Sequence, residues 1–254
     1  MSVLNRMSLV VMCLLLGTTA TLAADNGLEQ LPFAKKMQLA KAGDPDAKMA
    51  VAQALESGID TKADPAMAAK WYREAALTGN YEAQFRLAKL VEKGAPGLKA
   101  DKPTAIKLLD SAAKHGHAPS ENLLGQMFQN GDGVPKDEKA AVEWYKKAAA
   151  QKLAVAQNNL GVMLLKGLGT DRNLDEAFKM FDQASQGEDG WAMNNLGGMY
   201  EMGWGTKKDL DKAKQFYQKA ADKGIAISAK NLMRLASLGA TPAPASTTAV
   251  APKP

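Results

Sequence analysis

The chain is almost without cysteine: of its 254 residues only Cys13 carries a thiol. Cys13 lies in an N-terminal stretch that reads as a removable leader, so the mature chain has no thiol at all. That excludes a disulfide and a cysteine-ligated metal, and leaves stability to packing alone. Histidine is nearly as scarce, with only His115 and His117, so general bases are few. No apolar run reaches the roughly 20 residues of a membrane-spanning helix; the run Leu9–Leu16 is far shorter. No block of basic residues occurs. The Lys and Glu/Asp residues are interspersed, which suits solvated helix faces and argues against a nucleic-acid surface. No Asn-x-Ser/Thr sequon is present, which leans toward a bacterial exported protein.

What remains is a soluble composition, 46% hydrophobic, 23% charged and 6% aromatic. Alanine supplies much of the apolar share, which favours helix because alanine loses no side-chain entropy there.

The first residues have the layout of a secretory signal: Arg6, the apolar run Leu9–Leu16, then small residues ending in Thr21-Leu22-Ala23. Cleavage after Ala23 removes one of the 32 basic residues, against 27 acidic ones. A buried N-terminal helix is the competing reading. Met12 before Cys13 argues against lipid attachment. These features predict a periplasmic or secreted protein with residues 1–23 as signal peptide. At the other end, 239–254 is rich in Pro, Ala, Thr and Ser and is expected to be a disordered tail.

A repeat fills the space between. Ala47, Ala83, Ser120, Ala156, Ala192 and Ser228 recur at steps of 36 or 37 residues. Two further columns are always alanine: Ala68, Ala105, Ala141, Ala177, Ala213, and Ala75, Ala112, Ala148, Ala184, Ala220. Large pairs such as Trp144-Tyr145 and Met180-Phe181 sit between these. Ala141, Tyr145 and Ala148 fall at i, i+4 and i+7, a helical stripe. Gly58, Gly94, Gly131, Gly167 and Gly203 punctuate each unit, and the extra residue of the second falls within Ala95–Ala100. Each unit therefore reads as helix A, a glycine turn, and helix B capped by Asp137, Asn173 or Asp209. Asp64-Pro65 offers the same cap in the first unit. Gly58-Ile59-Asp60 and Gly94-Ala95-Pro96-Gly97 predict distorted turns in the first two units. Small alanines let the backbones approach, and neighbouring units share one elongated core.

Gly133-Val134-Pro135-Lys136-Asp137, the Gly-x-Gly turns, Asn159-Leu160-Gly161-Val162-Met163-Leu164 and Lys139-Ala140-Ala141-Val142-Glu143-Trp144-Tyr145 resemble the Sel-one-like repeat, a relative of the tetratricopeptide repeat. The resemblance covers 44–238 and implies an all-α, right-handed α/α solenoid of about five 36-residue repeats. Residues 24–43 are expected to supply a capping helix, read over Leu28–Ala42, and Ile227–Leu238 to close the other end with Lys230 and Arg234 outermost.

The repeat register accounts for each group of residues that could carry chemistry. His115 and His117 can offer two metal ligands, but the link is exposed and a polar turn explains them. Asp171–Asp175 resembles a calcium loop, but Glu176 and Asp182 stand where glycine and glutamate are needed. The Gly-x-Gly turns lack the strand and the Gly-Lys-Ser/Thr ending of a phosphate loop. Ser57, Ser111, Ser120, Ser185, Ser228 and Ser237 fall in small-residue columns or at helix ends. No catalytic residue, metal or cofactor is assigned, and the chain is read as a non-enzyme.

The helix-A face is the candidate site. By analogy with tetratricopeptide solenoids it lines a concave groove, and Asn122, Gln126, Asn158, Val162, Lys166, Trp191, Asn194 and Met202 are the candidate partner-binding residues. Pro119, Gln129, Asn130, Val155, Leu165, Gly198 and Glu201 share that face. The ladder Asn122, Asn158, Asn194 can hold a peptide backbone or satisfy groups of the protein itself. Met127, Met163 and Met199 read as core. Trp204 reads as a contact edge or as folded over its own unit. The expected function is an exported scaffold that binds a partner protein or peptide in envelope or secretion-complex assembly. The alternatives are a peptidoglycan- or glycan-binding module and a cell-wall or β-lactam hydrolase; the latter is described for cysteine-rich members of the family, whose cysteines this chain lacks.

Overall fold

The structure is a computed structural model and describes residues 27–239; the signal reading lies outside them, as does the tail reading apart from Gly239, which ends the last helix. Twelve α-helices and no strand occur among the described residues. They are α1 (Phe33–Lys41), α2 (Pro45–Ser57), α3 (Pro65–Ala76), α4 (Tyr81–Lys93), α5 (Lys102–Lys114), α6 (Ala118–Asn130), α7 (Glu138–Ala150), α8 (Ala154–Lys166), α9 (Leu174–Gln186), α10 (Gly190–Met202), α11 (Leu210–Asp222) and α12 (Ala226–Gly239). None is long and apolar enough to cross a membrane.

The chain divides into two compact units, the first ending at Trp71 and the second starting at Tyr72. In the first, α1 packs on α2. Lys36 is buried on α1, and its ammonium meets the Asp60 carboxylate at 3.3 Å. The first helix starts at Phe33 and not at Leu28, where the sequence reading begins it. Pro32 takes the N-cap position, and a residue before proline is pushed out of the helical region, so Leu28–Leu31 forms a turn.

The second unit is a stack of antiparallel helix pairs, α4–α5, α6–α7, α8–α9 and α10–α11, closed by α12. The alanine columns are what let the pairs close up. Ala105, Ala141, Ala177 and Ala213 are fully buried, as are Ala112, Ala148, Ala184 and Ala220. The partner column Leu109, Tyr145, Phe181, Tyr217 is buried beside them. Each ring needs room on helix A, and glycine supplies it. A Cβ on Gly125 would come to 2.7 Å from the Tyr145 ring, on Gly161 to 2.7 Å from Phe181, and on Gly197 to 2.8 Å from Tyr217. These separations lie well inside carbon–carbon contact distance.

The turns follow the same logic. Gly131, Gly167 and Gly203 end helix A in the left-handed region, with φ of 73°, 69° and 70°. The second glycine of each turn marks a close approach to the preceding repeat: a Cβ on Gly169 would run into the Glu138 carbonyl, and one on Gly205 into that of Leu174. Asp137, Asn173 and Asp209 cap helix B as expected, and their own N–H groups donate back to Phe128, Leu164 and Tyr200 of helix A. One residue thereby starts one helix and ties off the other. Asp44, Asn80 and Asp189 cap helix A in the same way. Of the two turns expected to be distorted, the first ends normally at a left-handed Gly58. The second departs: Gly94 has ψ 169°, and Ala95 and Leu98 form a bridge that absorbs the extra residue.

Candidate functional site

Helix A turns one face to its core and leaves another for the exterior. Met127, Met163 and Met199 lie on the first and are buried. The second carries the asparagine columns, and their amides are bonded from repeat to repeat. Asn159 Nδ2 donates to Asn122 Oδ1 at 2.9 Å, and Asn195 Nδ2 to Asn158 Oδ1 at 2.9 Å. Asn194 Oδ1 accepts from both Asn231 Nδ2 at 3.3 Å and Ser228 Oγ at 2.9 Å. Asn122 and Asn158 are buried, and Asn194 is half-buried. The ladder is thus a seam between neighbouring helices A, and its carbonyl oxygens are engaged within the protein. A seam residue bonds one register step away from its own column, 37 residues along instead of 36.

A second set joins helix B to helix A within a repeat. Tyr145 donates its hydroxyl to Gln129 Oε1 at 2.6 Å, and Tyr217 to Glu201 Oε2 at 2.9 Å. Both tyrosines are buried, so each hydroxyl needs an acceptor. Where the ring is Phe181, with no hydroxyl, the acceptor position holds Leu165. Arg234 of α12 reaches back to Glu201 through two nitrogens, at 2.6 and 2.7 Å. The Arg234 guanidinium holds the Glu201 carboxyl below the ordinary carboxylate range, against the opposing effect of burial.

A cleft of about 360 Å³ opens at the end of this face. Its lining brings together two of the eight candidate residues, Asn194 and Met202, with Leu165, Gly198, Glu201, Trp204, Tyr217 and Arg234 among the others. Trp191 and Met202 are the exposed apolar residues of the set, at 56% and 55%. Val162 and Gln126 are half-buried, and Lys166 is exposed; these three, with Trp191, Asn122 and Asn158, lie outside the cleft lining. Trp204 is held from the preceding repeat, with the Arg172 guanidinium 5.6 Å from its ring centre. A larger hollow, about 700 Å³, lies on the helix-B side around Lys146, Gln157, Met180 and Gln186. It has no aromatic wall and contains none of the candidate residues.

His117 stands between a serine and a carboxylate. Ser120 Oγ lies 2.9 Å from His117 Nδ1, and Glu82 Oε2 lies 3.1 Å from Nε2. Arg86 Nε donates to Glu82 at 2.6 Å. The hydrogen bond from His117, with help from Arg86, lowers the Glu82 carboxyl below its ordinary range. Ser120 is fully buried in the alanine column, out of reach of any substrate. The set is a clip between the second and third repeats. His115 stacks on Tyr81 at 4.6 Å. Among the described residues no cluster of three or more His, Cys, Asp or Glu is arranged to hold a metal ion.

Stacked helix hairpins with a glycine turn and a shared core define an α/α repeat solenoid. The family model for the Sel1 repeat matches residues 45–80, 82–117, 118–153, 154–189 and 192–225, each one helix A with its helix B. The chain belongs to the Sel1 repeat family. It is similar to c5321, a protective antigen of uropathogenic Escherichia coli displaying an SLR fold, at 29% identity and a TM-score of 0.73 over 82% of this chain. It spans 44% of that antigen. It is also similar to a Sel1 repeat protein from Oxalobacter formigenes, at 27% identity and a TM-score of 0.73, covering 82% of this chain and 91% of the other. Immunity protein Pa5087 from Pseudomonas aeruginosa shares the fold at 23% identity and a TM-score of 0.51, over 74% of this chain and 69% of the other. No curated protein sequence matches significantly. Sel1 repeat proteins generally mediate protein–protein interaction, and the repeat is typically non-catalytic.

Proposed function

We propose that this chain is a binding scaffold that holds a segment of a partner protein against its helix-A face. The observation that carries the reading is the exposure of Trp191 and Met202 beside the cleft on that face. An exposed tryptophan and methionine beside a cleft supply the apolar anchor that hot spots are built on, and half-buried amides rim it. The proposed place of work is outside the cytoplasm, on the strength of the signal-like layout of residues 1–23. Assembly of envelope or secretion complexes is the proposed setting.

The test is a cross-linked pull-down from the envelope fraction, with the wild-type chain and Trp191→Ala/Met202→Ala as baits. A protein captured by the first and lost with the second supports the scaffold. Capture that is indifferent to the substitutions removes the helix-A face from the account. The exposed Trp191 and Trp204 rings also suit stacking on sugars, which favours glycan binding as the second reading. Retention on isolated sacculi, abolished by Trp191→Ala, would replace the first reading with this one.

A further inference from the structure

The cleft identifies which columns of helix A look outward: Asn194, Gly198, Glu201 and Met202 all line it. The same columns in the other helices A of the second unit carry charge of mainly one sign. Lys230 stands in the Asn194 column, Lys89 and Arg234 in the Gly198 column, and Lys93 and Lys166 in the Met202 column. The Glu201 column adds one further acid, Glu92. Five cations therefore face two acids.

The pairing within this set sharpens the imbalance. Glu201 is taken up by Arg234 and Tyr217, so neither group is left with its charge uncompensated. Lys89, Lys93, Lys166 and Lys230 take part in no ion pair among the described residues. Glu92 alone balances them. An exposed apolar column runs alongside in the last three helices A, Val155, Trp191 and Ile227; the same position is Pro119 in α6 and Glu82 in α4, and Glu82 is taken up by Arg86 and His117. Neighbouring helices pack roughly 10 Å apart, and an extended chain covers that in about three residues.

We infer that the partner segment is an extended, acidic peptide, with an apolar residue at about every third position and carboxylates between. This rests on the scaffold reading. The apolar residues meet the Val155–Trp191–Ile227 column, and the carboxylates meet the four unpaired lysines. The charges sit at the rim of the contact, so they act on encounter rate and partner choice and weaken with salt.

Three labelled peptides of equal length test this by fluorescence anisotropy with the full chain: repeated Glu-Ser-Leu, Gln-Ser-Leu and Lys-Ser-Leu triplets. The expected result is binding of the Glu peptide roughly tenfold tighter than the Gln peptide at low salt. The Lys peptide should be weakest. The preference should collapse at high salt, and in the double variant Lys166→Glu/Lys230→Glu, whose helicity by circular dichroism stays that of the wild type. Equal binding of the Glu and Gln peptides overturns the charge inference and leaves the scaffold reading standing. A Glu preference that survives Lys166→Glu/Lys230→Glu places the contact elsewhere and overturns it too. Displacement of the Glu peptide by inorganic polyphosphate as readily as by unlabelled Glu peptide overturns it in favour of general polyanion binding. No binding of any peptide, with the tryptophan fluorescence difference between wild type and Trp191→Phe unmoved, overturns both readings.

Discussion

Gly161→Ala should destabilise the protein although it adds a helix-favouring residue to the middle of α8. The new Cβ would stand 2.7 Å from Phe181 Cε1 and 2.9 Å from Cδ1. Comfortable carbon contact begins near 3.5 Å, so the ring has to retreat by roughly 1 Å. Phe181 is fully buried, packed with Ala177, Ala184 and Met163 in one continuous core. Overpacking of that kind costs about 1–3 kcal/mol. Alanine in place of glycine returns about 0.8–1 kcal/mol in a helix interior. The net expectation is a loss of about 1 kcal/mol.

The second repeat shows the alternative solution: at the same two columns it carries Ala88 and Leu109, both buried. Phe181→Leu alone should cost about 1–2 kcal/mol through the volume it removes. The double variant Gly161→Ala/Phe181→Leu should lose clearly less than the two single losses together, with a coupling of at least about 1 kcal/mol. The assay is urea unfolding followed by circular dichroism. Repeat arrays can unfold in parts, so midpoint and slope are compared together. Additivity within about 0.5 kcal/mol, or a stabilised Gly161→Ala, would refute the ring-against-glycine account.

The two glycines of a turn should respond very differently. Gly167→Ala meets a φ of 69° and the Arg172 Cβ at 3.3 Å, which costs about 1–2 kcal/mol. Gly169→Ala meets the backbone carbonyl of Glu138 and should cost more than about 3 kcal/mol, or prevent folding of the fourth repeat; thermal unfolding separates the two. Glu201 gives a pH dependence of definite sign. Its folded pKa is lowered, chiefly by Arg234. Its stabilising contribution is therefore present above the unfolded carboxylate pKa near 4.3 and is lost as pH falls through the folded value. Urea midpoints from pH 6 down to pH 3 should fall less steeply in Glu201→Gln than in wild type, and parallel profiles would disprove the assignment. Asn158→Ala should cost about 1 kcal/mol, because the Asn195 amide loses its acceptor. Trp191→Ala, at a position 56% exposed, should stay within about 0.5 kcal/mol of wild type while weakening partner capture.

The parts of the fold that were legible in the sequence are those that recur within one chain segment. Columns of alanine at 36-residue steps, glycine after helix A and an Asp or Asn before helix B each state a local demand: close approach, a left-handed backbone, a capped terminus. The structure meets each of them except the left-handed turn at Gly94, down to Asp209 capping Lys212 at 2.9 Å. The contacts between segments were not legible in the same way. Asn158 was visible as a ladder residue, but its partner Asn195 lies one step off the column, and that step depends on how neighbouring helices are rotated. The tyrosine acceptors left a trace that periodicity alone does not read. Tyr145 pairs with Gln129 and Tyr217 with Glu201, each 16 residues apart, whereas Phe181 faces the column with Leu165. Only the chemistry of a buried hydroxyl makes that substitution pattern meaningful. The repeat register places the end of α1 near Gly43 but says nothing of its start, which Pro32 sets at Phe33 and not at Leu28.

The seam changes what the helix-A face can be asked to do. Asn158 offers a donor and an acceptor in isolation, but its acceptor is already taken by Asn195, and Asn194 takes two donors at once. A partner backbone therefore finds fewer open carbonyl oxygens on this face than the sequence advertises. In the scaffold proposed above, recognition rests on the exposed Trp191 and Met202 side chains and on the lysines without acids. The engaged asparagines contribute differently, by fixing their own rotamers and the register of adjacent helices. A surface ordered in advance loses less entropy when it binds. On this account substitutions in the seam and at Trp191 weaken binding by separate routes. The first acts through stability and helix register, the second through direct contact, and only the first moves the urea midpoint.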